Sequence, residues 1–138
     1  MSSDFFTAVP RRIEYGGPES SDPLAYAVYQ PARDVLGKRM EDHLRIAVCL
    51  WHSFNWPGSD VFGVGIFDRP WLAPGVDPKT ASETKIDAAF EFIEKLGVPF
   101  FTFHDRDVSP EGKTYAETRA NLDTRVDRIE RPPGESVQ

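Results

Sequence analysis

Residues 45–51, R-I-A-V-C-L-W, form a short and almost uninterrupted apolar run. Such a run is expected of a strand covered on both faces in a parallel sheet, where alternating side chains meet packed helices on either side. Periodicity alone does not separate it from a buried helix, so its flanks decide. Upstream, residues 37–44 are polar with Met40 and Leu44 four apart, which reads as one or two helical turns feeding the strand. Downstream, the chain runs W-H-S-F-N-W-P-G-S-D-V-F-G-V-G-I-F-D-R-P-W from 51 to 71. A connection so long and aromatic is uncommon in compact domains and is usually functional.

Beyond it, Asp77 offers an N-cap and Pro78 takes the favoured first helical position. Ile86, Ala89, Phe90, Ile93 and Leu96 follow at spacings of three and four, and Gly97 supplies a left-handed cap, so an amphipathic helix is expected to end there. Residues 98–103, V-P-F-F-T-F, return to strand character, with Pro99 tolerable near the start. A second loop, 104–113, carries His104, Asp105 and Asp107. Tyr115, Leu122, Val126 and Ile129 then mark one face of another helix. The order strand, loop, helix, strand, loop, helix implies an α/β chain with a parallel sheet and right-handed crossovers.

The two ends read differently. Residues 1–36 hold Gly16, Gly17, Pro18, Pro23 and Pro31, breakers placed so that no regular element runs far, and are expected to form an extended arm. Its aromatic residues Phe5, Phe6, Tyr15, Tyr26 and Tyr29 are too many for a solvated linker. They either pack on their own domain or anchor the arm elsewhere. Residues 37–130 are the folded domain, and 131–138, R-P-P-G-E-S-V-Q, are expected to be an unstructured tail.

The chain has 138 residues, 40% hydrophobic and 28% charged, as in soluble globular proteins rather than disordered ones. Sixteen basic against twenty-two acidic residues leave a formal charge of −6, whose field repels polyanions and opposes binding to nucleic acid or anionic membranes. The single cysteine, Cys49, has no internal partner and sits between Val48 and Leu50, as a small buried hydrophobe in a reducing compartment would. With no basic-then-apolar leader and no apolar stretch of ~18 residues, a cytoplasmic location is expected and no membrane span.

His104 directly follows an apolar strand, where β/α proteins place their active-site loops. Asp107, three residues on, is spaced to reach back to the imidazole. A carboxylate on one ring nitrogen fixes the tautomer and leaves the other as base or donor. The pattern H-x-x-D alone is equally that of a capped turn with a satisfied histidine.

The longer context, F-H-D-R-D-V-S-P-E-G at 103–112, closely resembles one of the two signatures of the xylose isomerases. Residues 37–63, G-K-R-M-E-D-H-L-R-I-A-V-C-L-W-H-S-F-N-W-P-G-S-D-V-F-G, together with F-D-R-P-W at 67–71 and F-E-F-I-E-K-L-G-V-P-F-F at 90–101, also resemble that family's amino-terminal region. The resemblance covers most of residues 1–130 and implies a (β/α)8 barrel that assembles as a homotetramer. It implies two divalent metals, Mg, Mn or Co, which serve to interconvert D-xylose or a related aldose with its ketose by a hydride shift. By the same resemblance His104 matches the histidine that assists opening of the sugar ring, and Asp107 the aspartate that orients it. Trp51 matches a tryptophan lining the sugar pocket, and Phe62 a phenylalanine inserted from a neighbouring subunit. An apolar wall against C–H bonds suits hydride chemistry, because it excludes water. His52, Trp56 and Trp71 are expected to pack or anchor loops, and Asp105 to act behind the site or as a cap.

A closed barrel needs at least ~200 residues, so the expected fold is an incomplete barrel: its first two β/α units, with the arm in front. The family's metal ligands lie on later strands, and no E-P-K-P, H-x-x-E or D-x-D group follows the second helix here. Leu50 also replaces a commonly aromatic position. The expected function is therefore that of a family fragment, inactive alone and binding no metal tightly. The alternatives are a noncatalytic module that docks on a full-length isomerase, or another metal-dependent sugar-processing barrel enzyme.

Overall fold

Strand pairing and helix capping organise the chain, and the computed structural model describes residues 4–56, 59, 61–63 and 69–130. The expected tail at 131–138 lies outside the described residues. Contacts divide the chain into two units, Met1–Cys49 with Ala88–Thr102, and Leu50–Asp87 with Phe103–Gln138.

In the first unit a small antiparallel hairpin joins β1 (Asp34–Val35) to β2 (Lys38–Arg39). Its turn places Leu36 and Gly37 at φ of 54° and 80°, the left-handed region that Gly37 enters without steric cost. This hairpin straddles position 36, where the arm was expected to give way to the domain. Helix α1 (Met40–His43) follows, matching the expected turn ahead of the strand. Strand β3 (Ala47–Cys49) pairs in parallel with β4 (Phe100–Thr102), Val48 opposite Phe101. Both strands are shorter than the apolar runs that contain them. Val48 is buried while Ala47 and Phe100 are exposed, so burial on both faces is not found.

The crossover between them is α2 (Pro78–Leu96). Its start is the expected one: the Asp77 carboxylate accepts the Thr80 amide at 3.0 Å, and this bond holds its pKa below the usual range. Its end is the expected one too, with Gly97 at φ 73° donating its amide to Ile93 at 2.9 Å. The arm is tied to the last turns of this helix. Glu91 accepts the amides of Phe5 and Phe6, each at 2.9 Å, the Phe6 and Phe92 rings lie 5.4 Å apart, and the Tyr26 hydroxyl donates to the Leu96 carbonyl at 2.6 Å.

In the second unit the long connection is partly helical. A wide helical turn, Trp51–Asn55, opens it and a short 3-10 turn, Pro70–Leu72, closes it. Helix α3 (Asp105–Val108) then forms where a plain loop was expected, and α4 (Tyr115–Glu130) follows. The face that α4 buries is not centred on its apolar residues, for Tyr115 is exposed whereas Asn121 and Arg125 are buried. Arg125 is held by Glu83 at 2.8 Å and Asn121 by the Pro110 carbonyl at 3.3 Å, so paired polar groups occupy the inward positions. Among the described residues no helix is long and apolar enough to cross a membrane.

Candidate functional site

The site begins with the exit from β4. Two residues past Thr102, His104 takes an extended conformation at φ −102° and ψ 163° and caps α3. The helix is only one turn long because Pro110 forces Ser109 out of the helical region, to φ −133° and ψ 136°. Val108, fully buried, fixes the turn in the core, and the Ser82 hydroxyl donates to its carbonyl.

Asp107 therefore points inward, only 2% exposed. Its Oδ2 accepts the His104 backbone amide at 2.7 Å and lies 3.2 Å from His104 Nδ1. Its other oxygen, Oδ1, accepts a hydrogen bond from the side-chain amide of Asn55. Asn55 Oδ1 in turn accepts from Lys85 Nζ at 2.5 Å. A continuous polar chain thus runs Lys85, Asn55, Asp107, His104 within one unit. Burial pushes the Lys85 ammonium down to about 8, a fall that the Asp107 carboxylate partly opposes.

The wide turn that carries Asn55 is fixed by its own packing. Phe54 is buried beside Trp71, whose Nε1 donates to the Phe54 carbonyl at 2.7 Å, and the Arg69 guanidinium donates to the Ser53 carbonyl at 3.3 Å. The anchoring expected of Trp71 is found there. At the other end of the turn Trp51 stands edge-on to the His104 ring, with centroids 6.2 Å apart and planes at 87°. It also meets the His52 ring at 4.7 Å. Trp51 remains 54% exposed and the His104 side chain 69% exposed, so both present surface to solvent.

His104, Asp107 and Trp51 are thus brought together. Phe62 is 94% exposed in the short described stretch 61–63. Asp105 is exposed, and its Oδ1 accepts the amide of Arg106 at 2.8 Å. Two members of the polar chain, Asn55 and Lys85, escape sequence reasoning. A signal for Lys85 existed: it shares a helical face with Ser82, Ile86 and Ala89, all buried.

Chemically, an imidazole with Nδ1–H directed at a carboxylate keeps Nε2 for proton transfer. Nε2 has no hydrogen-bond partner among the described residues. The described residues do not fit a metal centre, because they include no group of three or more His, Cys, Asp or Glu side chains able to hold an ion. The carboxylate nearest the site, Asp107, is already committed to His104 and Asn55.

Fold and site together define an α/β chain in which an indole and a carboxylate-held imidazole follow the ends of two parallel strands. No protein-family model matches the chain. Against curated proteins it is 55% identical over 125 residues to a xylose isomerase of Burkholderia vietnamiensis, a match that covers 91% of this chain and 28% of the relative. Xylose isomerases of Sinorhizobium fredii and Mesorhizobium japonicum are 54% and 53% identical over 129 residues, covering 94% and 92% of the chain and 29% of each relative. The chain belongs to the xylose isomerase family. It spans less than a third of the length of the curated relatives it matches.

Proposed function

We propose that this chain supplies the ring-opening pair and part of the sugar-pocket wall of a metal-dependent aldose-ketose isomerase, acting on D-xylose or a related aldose. The observation that carries the reading is the contact of Asp107 with both the amide and the ring of His104, while that ring faces solvent. Opening a cyclic hemiacetal breaks the bond between C1 and the ring oxygen; the C1 hydroxyl loses a proton and the ring oxygen gains one. An imidazole steered at Nδ1 by a carboxylate delivers or accepts that proton at Nε2. Trp51 supplies an apolar surface beside it, which would exclude water from the sugar once the rest of the pocket covers the site. By the family resemblance Phe62, which is 94% exposed, would line the pocket of another subunit in a homotetramer. In this reading the chain forms the first two β/α units of a barrel, with 1–36 as an arm and 37–130 as the folded part, in a cytoplasmic enzyme.

In the complete enzyme two divalent ions, Mg, Mn or Co, would polarise the sugar carbonyl. The described residues offer no such ligand cluster, so the 138-residue chain alone is read as inactive. Formation of xylulose by the purified chain with D-xylose and any of these ions would overturn that. The role of His104 is tested in a complete relative carrying these residues. His104→Asn is expected to slow consumption of cyclic sugar more than turnover of sugar already open, and equal losses would make His104 a scaffold residue.

A second reading, a noncatalytic module that docks on a full-length isomerase, is favoured by one observation. Ile46 and Phe100 remain exposed around the two-stranded parallel sheet. Light scattering across a dilution series separates the two, for a monodisperse monomer at all concentrations counts against docking.

A further inference from the structure

Lys85 is 9% exposed and lies on the buried face of α2, yet it carries an ionisable group that the ring-opening reading does not use. Burying an ammonium costs several kcal/mol unless it is paired and hydrogen-bonded, so what it touches matters. Its Nζ donates to Asn55 Oδ1 at 2.5 Å, and the Asn55 amide nitrogen donates to Asp107 Oδ1. An amide is suited to this place, since its oxygen faces the cation and its nitrogen faces the carboxylate. The reverse orientation would set two donors against each other and two acceptors against each other. The ammonium thereby dictates which way Asn55 points. Asn55 in turn occupies the Asp107 oxygen that His104 does not use, leaving Oδ2 for the histidine.

We propose that Lys85 is a positioning residue for His104, acting through Asn55 and Asp107 to hold the carboxylate in the orientation that directs His104 Nδ1 inward and Nε2 outward. The proposal rests on the reading of His104 as the acid-base group. Among the charged groups around Lys85, Asp107 on α3 is the one that acts on it. Glu83, two residues earlier on α2 and so turned to another side of the helix, is paired with Arg125 of α4 at 2.8 Å. His52, on the turn that carries Asn55, is exposed and meets the Trp51 ring at a tilt of 57°.

The test is a pH titration of the 138-residue chain followed by nuclear magnetic resonance of the His104 ring nitrogens and of the Lys85 side-chain carbon next to Nζ. When Lys85 gives up its proton, near pH 8, Asn55 is freed to turn and Asp107 to relax. The His104 nitrogens are therefore expected to show a second inflection at the same midpoint as Lys85. Lys85→Met is expected to abolish that inflection and to broaden the His104 tautomer signals, and Lys85→Arg to restore the single tautomer. A Lys85 titration that leaves the His104 nitrogens unmoved overturns the proposal, and the parent chain alone decides this if Lys85→Met fails to fold. Because the readout is spectroscopic, such a failure leaves the ring-opening role of His104 standing. Equal losses in the His104→Asn kinetic test would sink that role without touching the wiring.

Discussion

A single oxygen of Asp107 lies 2.7 Å from the backbone nitrogen of His104 and 3.2 Å from its Nδ1, so one carboxylate sets both where the turn begins and how the ring is held. The other oxygen of the same group receives Asn55. A residue with three such ties and 2% exposure is as much part of the core as of the site.

Removing it should therefore cost stability as well as geometry. Asp107→Ala removes the acceptor of three N–H groups, the His104 amide, His104 Nδ1 and the Asn55 side chain, and leaves the Lys85 ammonium without its counter-charge, a loss of about 3 kcal/mol. Asp107→Asn keeps the shape and one acceptor but sets its amide nitrogen against that of Asn55, and should recover part of the loss. Urea denaturation checks the order; an Asp107→Ala variant within ~0.5 kcal/mol of the parent, the range of ordinary surface changes, would refute the account.

The contact also fixes a tautomer. His104 should carry its neutral-state proton on Nδ1, facing Asp107. His43, whose Nε2 lies 2.8 Å from the Val35 carbonyl, must carry its proton on Nε2 in order to donate. Nitrogen-15 spectra of the neutral imidazoles are expected to show the two opposite forms, and Asp107→Ala should change His104 alone. Identical tautomers in the parent would contradict the assignment.

What the sequence made legible was what short-range chemistry determines. Asp77, Pro78 and Gly97 are capping signals that act within a few residues, and α2 runs Pro78–Leu96 between them. The strands were overread at both ends because their limits are set by pairing. β3 and β4 match over three residues each, and Pro99 lies outside the ladder although Val98 beside it is buried. The face of α4 was legible in part: Leu122, Val126 and Ile129 are half-buried, but apolar spacing does not register Arg125, which is buried through its bond to Glu83, 42 residues away. The site divides the same way. His104 and Asp107 are three apart and visible as a pattern, whereas Asn55 reaches Asp107 across 52 residues and Lys85 reaches Asn55 across 30. No local motif encodes such partnerships.

The tryptophans give a contrast that separates site from scaffold. Trp71 is 5% exposed, packs on Phe54 with centroids 5.9 Å apart and donates its indole N–H to the Phe54 carbonyl. Trp71→Ala should cost about 3 to 5 kcal/mol and loosen the turn that presents Asn55. Trp51, half in solvent, should tolerate alanine within about 0.5 kcal/mol while His104 loses its edge-on neighbour. Thermal melts of both variants test this, and comparable destabilisation by the two would mean that Trp51 belongs to the core.

Lys85 gives the stability of the protein a pH dependence whose sign is set by burial. Its folded-state value, about 8, lies below the ordinary lysine value of 10.5. The unfolded chain therefore binds more protons between these limits, and stability rises with pH across that window. The cost of burying the charge is fully present below pH 8 and is relieved as pH climbs to 10.5, by on the order of 3 kcal/mol. Lys85→Met has no such group and should lack the rise. Unfolding free energies of the parent and of this variant, measured from pH 7.5 to 10.5, should thus converge or cross in favour of the parent. A parent-minus-variant difference that stays flat over the window would show that Lys85 is not desolvated in the folded chain, and that the ammonium is not buried against Asn55 as the geometry places it.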